Sequence, residues 1–264
     1  MKNILWSLVF FLFTAGICSA QTVLYFPQFV DGTQDRNSVV WATVLGVTNP
    51  AAPSTPAATG TITLTKDNGA PMNVTLFDIN TGAIGNTFQL AGGQTKVFAS
   101  ASVVDIMGPQ PLNTGFATVT SNLPVAGFLF FQDYGPYGTN PKTGQLIAEA
   151  AVLSATPLMR QETGVVQYTP QGTSTAIAVA NPGTATANIT FQLLDNNGNQ
   201  IGSLVMRALA PNNHTAFFVP DLFPNVPPTL FGGSLRITSD TPLVSTGLFF
   251  QGNLFASLPI IPLP

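Results

Sequence analysis

The chain has 264 residues, 45% of them hydrophobic and only 7% charged, with a formal net charge of −3. Eight Lys and Arg against eleven Asp and Glu, with no basic run, exclude a nucleic-acid binder. Twenty Phe exclude a disordered chain, and a single His with a single Cys leaves little for catalysis.

The first twenty residues read as an export signal, cut after Ala20. Lys2 is followed by an apolar run from Ile4 to Phe13, too short for a membrane span, and Cys18-Ser19-Ala20 places small residues ahead of the cut. A lipoprotein signal acylated on Cys18 would need a small residue before it, where Ile17 stands. Cleavage removes the only Cys and Lys2, which takes the formal charge to −4. The remaining chain holds no integral membrane segment, and its fold rests on hydrophobic burial without disulfides. The expected address is periplasmic, cell-surface or extracellular.

Beyond the signal the chain repeats itself in order. Val47-Thr48-Asn49-Pro50 matches Val179-Ala180-Asn181-Pro182, and Asp67-Asn68-Gly69 matches Asn196-Asn197-Gly198. Leu90-Ala91 with Phe98 matches Leu209-Ala210 with Phe217, and Asp105-Ile106-Met107 matches Asp221-Leu222-Phe223. The run Gly115 to Val125 matches Gly233 to Leu243, and each is followed by Leu-Phe-Phe-Gln at 129–132 and 248–251. The expected domains are therefore the signal 1–20, one repeat at 21–157 and a second at 158–264, meeting near Thr156-Pro157.

Each repeat reads as strands and turns. Thr61 to Thr65 alternates polar and apolar residues, as a half-buried strand does, and Ala176 to Val179 and Asn188 to Phe191 behave alike. Asn68-Gly69 and Asn197-Gly198 read as two-residue type I′ hairpins. Asn49-Pro50 and Asn181-Pro182 end strands, because Pro gives up the ladder donor. The segment Asn49 to Gly60, with Pro50, Pro53 and Pro56, has no counterpart in the second repeat and reads as a long loop. A single helical turn is expected at Pro220 to Phe223, capped by Asp221, with a counterpart at Asp105. Short strands at roughly ten-residue spacing make the fold class all-β: two tandem antiparallel sandwiches of about seven strands each.

The second repeat resembles the immunoglobulin-like modules of bacterial extracellular proteins, including the cell-adhesion-related type. The resemblance rests on Ala178 to Gly183, on Phe191 to Asp195 with Asn197-Gly198, and on Leu209-Ala210-Pro211 with Phe217. The first repeat carries a looser copy, and the pairing is similar to that of secreted tandem-repeat proteins of bacteria. The resemblance implies an immunoglobulin-like fold and transfers no catalytic residue.

The candidate chemistry is sparse. His214 lies in Pro211 to Thr215 without a nucleophile-elbow motif, so it reads as a surface turn residue. Asp195 to Asn199 lacks the glycine and glutamate spacing of a calcium loop and reads as a turn. Asp31 and Asp35 flank a loop where calcium is the alternative to plain solvation. Asp133 and Glu149 would suit a glycosidase only if brought close, and copy two has Gly252 in place of Asp133. In Phe128 to Gly138, Phe128, Phe130 and Phe131 belong to a core strand. Tyr134 and Tyr137 fall in a Gly/Pro turn that copy two lacks, where exposed rings would bind a ligand.

These features give a non-catalytic structural or adhesive protein, without cofactor or metal, whose partners are itself, another surface protein or a polysaccharide. The alternative is a carbohydrate-binding module using Tyr134 and Tyr137. A pilus-type chaperone is disfavoured because Arg36, Lys66, Lys96 and Arg160 are scattered and form no basic pair. The low charge gives weak protection against association. Asn-x-Thr triplets at Asn73, Asn188 and Asn213 are read as unglycosylated, given a bacterial-style signal.

Overall fold

The computed structural model describes residues 21–34, 39–104, 111–135, 146–226, 229 and 231–264. The expected signal, Arg36 and Asp35, Asp105 and Tyr137 lie outside them. The described chain is all-β, with two helical turns of four residues each, Ala101–Val104 and Val219–Leu222.

The first half contributes β1 (Thr22–Gln34), β2 (Val39–Thr48), β3 (Ala58–Lys66), β4 (Leu76–Asp78), β5 (Thr87–Leu90), β6 (Thr95–Ser100), β7 (Asn113–Ser121), β8 (Ala126–Asp133) and β9 (Ala148–Leu153). The second contributes β10 (Leu158–Gln167), β11 (Thr173–Ala180), β12 (Ala187–Asp195), β13 (Gln200–Leu209), β14 (His214–Phe218), β15 (Phe231–Gln251), β16 (Leu254–Leu258) and β17 (Ile261–Pro262). They form a nine-stranded and an eight-stranded sheet, each antiparallel throughout.

Both sheets fold over on themselves. β1 pairs with β7 as far as Asp31, then with β2 from Gly32 onwards. The β1–β7–β3–β5 layer thereby faces the layer built on β2. Ile62, Leu64 and Val119 from one layer meet Leu45, Phe98, Leu129 and Val152 from the other in one core. β15 does the same in the second half. Its first part pairs with β10 and β12, its last part with β11 and β16. Phe191, Ile189, Leu235, Ile237 and Ile177 fill that core. Fully burying each such side chain stabilises the fold by roughly 1.5–3 kcal/mol.

The pairings run in parallel through the halves: β1–β7 with β10–β15, β3–β7 with β12–β15, β3–β5 with β12–β13, β2–β6 with β11–β14, and β8–β9 with β15–β16. β4, which pairs with β6, has no partner-half equivalent. The Asn-Pro turns match in detail. β2 ends at Thr48 and β11 at Ala180. The Asn49 amide then donates to Leu90 O, and its oxygen accepts the Ala51 N–H. The Asn181 amide donates to Ala185, Leu209 and Ala210 carbonyls, and its oxygen accepts the Gly183 N–H.

Two local expectations change. The Asn-Gly hairpins are not type I′. Gly69 and Gly198 have φ near +80°, but Asn68 and Asn197 do not have positive φ. Each hairpin instead has a three-residue loop closed by Lys66 N–H to Ala70 O or Asp195 N–H to Asn199 O. Gly supplies the left-handed position that follows the turn. Second, the proline-rich segment is shorter than expected, because Ala58 to Gly60 already pair with Leu90 to Phe88 in β3–β5. Pro27 lies inside β1, at a bulge where the register with β7 slips between Phe26 and Phe29. A bulge tolerates the missing donor.

Candidate functional site

The halves meet at several places: a polar tie at His214, an aromatic patch at Trp41, a small cluster of Phe116 with Ala180 and Val244, and a hydrogen bond from Ser257 to the Ala151 carbonyl. His214 opens β14, and its backbone N–H donates to Asp67 O in the first half's Asn-Gly turn. Its Nδ1 lies 2.7 Å from Asp67 Oδ1, while Thr114 Oγ1 donates to Asp67 Oδ2. The imidazole is fully buried, so the expected surface histidine is instead an inter-half contact. The turn that carries it packs onto another part of the chain that local sequence does not reveal. Burial would raise the Asp67 carboxyl, but the hydrogen bonds from His214 and Thr114 outweigh it and hold the group below its ordinary value. The arrangement is wrong for a nucleophile triad. The hydroxyl donates to the carboxylate and not to the imidazole, and His214 Nε2 is buried without a partner.

Beside the tie, Trp41 stacks on Phe131 at 4.6 Å, and both pack on Phe255 from β16. Phe250 joins Phe255 and Phe218. A groove of about 410 Å³ runs past Trp41, Phe131, Phe217, Phe218 and Phe250. Gln28, displaced by the Pro27 bulge, also lines it, with its Oε1 buried and unpartnered. In the sequence Phe131, Phe217 and Phe250 stood out only as core or repeat positions, and Trp41, Phe218 and Gln28 did not stand out. Their convergence depends on the packing of two distant segments.

Tyr134 is half-buried, and its hydroxyl donates to Gln132 Oε1 at 3.0 Å. Burial and the nearby Glu149 charge push its pKa up. The ring is therefore less available than an exposed loop tyrosine. Tyr137 lies outside the described residues. Gln132 faces Glu149 across β8–β9 and donates to it, which puts Asp133 on the opposite face from Glu149. Asp133 instead accepts the Gly135 N–H, and burial raises its pKa. The two carboxylates do not form a facing pair.

Asp31 is a correction too. It lies in β1, buried, with Oδ1 accepting the Ser102 N–H. Burial raises its pKa against the hydrogen bonds from Ser100 and Ser102. Asp195 uses Oδ1 on the Asn197 and Asn199 N–H groups and Oδ2 on the Asn199 amide, which fixes its turn. The helical turn is Val219–Leu222 and its N-cap is Phe218; Asp221 does not cap it but accepts the Phe218 N–H from the third position inside the turn. Among the described residues no three His, Cys, Asp or Glu gather as a metal site, and no helix is long and apolar enough to cross a membrane.

No family model and no curated protein matches this chain.

Proposed function

We propose that the protein is an exported, non-catalytic structural or adhesive protein of the cell surface or extracellular matrix, built from two immunoglobulin-like sandwiches that arose by duplication. The observation that carries this reading is the use made of its carboxylates. All nine described Asp and Glu are bonded to neighbouring groups. Asp31, Asp78, Asp133, Asp195, Asp221 and Asp240 accept backbone N–H groups. Asp67 ties the halves together, Glu149 accepts from Gln132, and Glu162 pairs with Arg236. A chain this poor in charge devotes its acids to shape. The matched pairings and the matched Asn-Pro turns support the duplication.

The test is surface labelling and attachment. Antibody against the chain should bind intact cells or their matrix, and deletion of its gene should lower attachment to surfaces or to other cells. Label confined to the cytosol, or attachment unchanged by the deletion, would overturn the reading, as would a hydrolase activity abolished by one substitution.

A further inference from the structure

We infer that β13 is a self-association strand, pairing antiparallel with β13 of a second copy across a two-fold axis. β13 is ten residues long, with a register slip between Ile201 and Val205, stands at the end of its sheet, and among the described residues pairs only with β12. The other edge strands are short or are met by another segment. β4 has three residues and β5 four. The Ala151 carbonyl of β9 accepts from Ser257 of β16. β10 is joined by β17, and β1 is bridged by Ala155. β14 is held at His214 by the Asp67 carbonyl and at Phe218 by the Asp221 carboxylate. Natural sheets block long edges with Lys, Pro, bulges or covering segments. β13 has no Lys and no Pro, and its one irregularity lies ahead of Val205, where the register with β12 slips.

The side chains on this edge also lack cover. Met206 is 71% exposed and Leu204 is 50% exposed. On this edge the Gly202 carbonyl accepts from the Gln200 amide and the Met206 carbonyl is met by the Arg207 guanidinium at 3.5 Å, a long contact that a strand can displace; the other N–H and C=O groups beside the apolar side chains are completed by another strand. The sequence favours a second copy. Pairing centred on Met206, within the regular stretch that follows the slip, sets Met206 against its own symmetry mate and Val205 against Arg207. The only charge on the strand then faces an apolar residue and not its own copy, so no like charges oppose. The low net charge of the chain adds little repulsion between copies.

The test is light scattering across a concentration series on the chain expressed from its full sequence. The wild type should show at least twice the single-chain mass. Met206→Lys and Met206→Glu should each fall to the single-chain mass, since each sets like charges opposite at the axis. An equimolar mixture of the two should regain the doubled mass, which also shows that both variants fold. A single-chain wild type at every concentration, variants with the wild-type mass, or a mixture that stays monomeric would each overturn the assignment. The assignment rests on the structural reading above for its purpose only. A monomeric chain whose deletion still abolishes attachment removes the strand pairing and leaves that reading in place.

Discussion

Asn49 and Asn181 hold corresponding turns, yet the two turns do unequal work. In the first half, Asn49 ties Leu90 and Ala51, and Thr95 follows on an exposed position. In the second, Asn181 is fully buried and donates to three carbonyls, and the residue in the place of Thr95 is His214, buried against Asp67. The same backbone scaffold serves as an open end in one half and as half of a joint in the other. What differs is the neighbour and the number of carbonyls the turn's amide holds.

The largest break in this comparison comes from the amides themselves. Asn181→Ala removes three donated bonds and one accepted bond, although the Ala210 carbonyl keeps the Asn213 N–H, and is expected to cost about 3 kcal/mol, whereas Asn49→Ala, with one donated and one accepted bond, costs about 2 kcal/mol. Urea denaturation of both variants measures the gap, and equal losses would deny the asymmetry. Next is the joint. His214→Ala should lose about 2–3 kcal/mol through lost packing and hydrogen bonding. A double-mutant cycle with Asp67→Asn should return a coupling of about 1 kcal/mol, kept modest because the Asp67 side chain is half exposed. A coupling near zero would mean that the contact is incidental.

The hairpin glycines sharpen the same contrast. Gly198 faces open space, so Gly198→Ala carries only the left-handed backbone cost of about 1–2 kcal/mol. A Cβ at Gly69 would stand 2.7 Å from Asn213 Oδ1 and 3.2 Å from Pro211 O across the joint. Gly69→Ala should therefore exceed Gly198→Ala by roughly 1 kcal/mol, read as a difference in melting midpoint.

Acid has the smallest and most selective effect. The Asp67 pKa is lowered on folding, so its contribution is complete above the unfolded carboxylate value of about 3.9 and is lost as pH falls through the lower folded value. Asp31 is raised on folding, so its ionisation opposes folding at neutral pH and that opposition fades as pH falls. Asp31→Asn, which keeps the acceptor for Ser102, should be slightly more stable than wild type at pH 7 and equal to it near pH 3. Stability measured against pH for Asp31→Asn and Asp67→Asn should show opposite slopes relative to wild type.

The strands, the ends of β2 and β11, and the helical turn at Val219–Leu222 were legible because each is written in local signals: alternation, Pro, and an Asp in the first turn. The Asn-Gly turns were placed correctly, but their type was misread. Residue identity permits positive φ at Asn without requiring it, and the closing bonds of Lys66 and Asp195 select the three-residue loop. The joint was not legible. His214 and Asp67 are 147 residues apart, and nothing near either of them in sequence announces the other. The same holds for Asp31, whose burial depends on the Ser100–Ser102 segment folding over it.

Phe255 belongs to the second half but packs in the core of the first, against Trp41 and Phe131. Chains are made from the amino terminus, and domains commonly fold as they emerge. Here the half that is made first waits for a ring, Phe255, that belongs to the half made second. Until then Trp41, the only described tryptophan, stands beside an incomplete wall. The first half is completed only once a strand of the second half has been made.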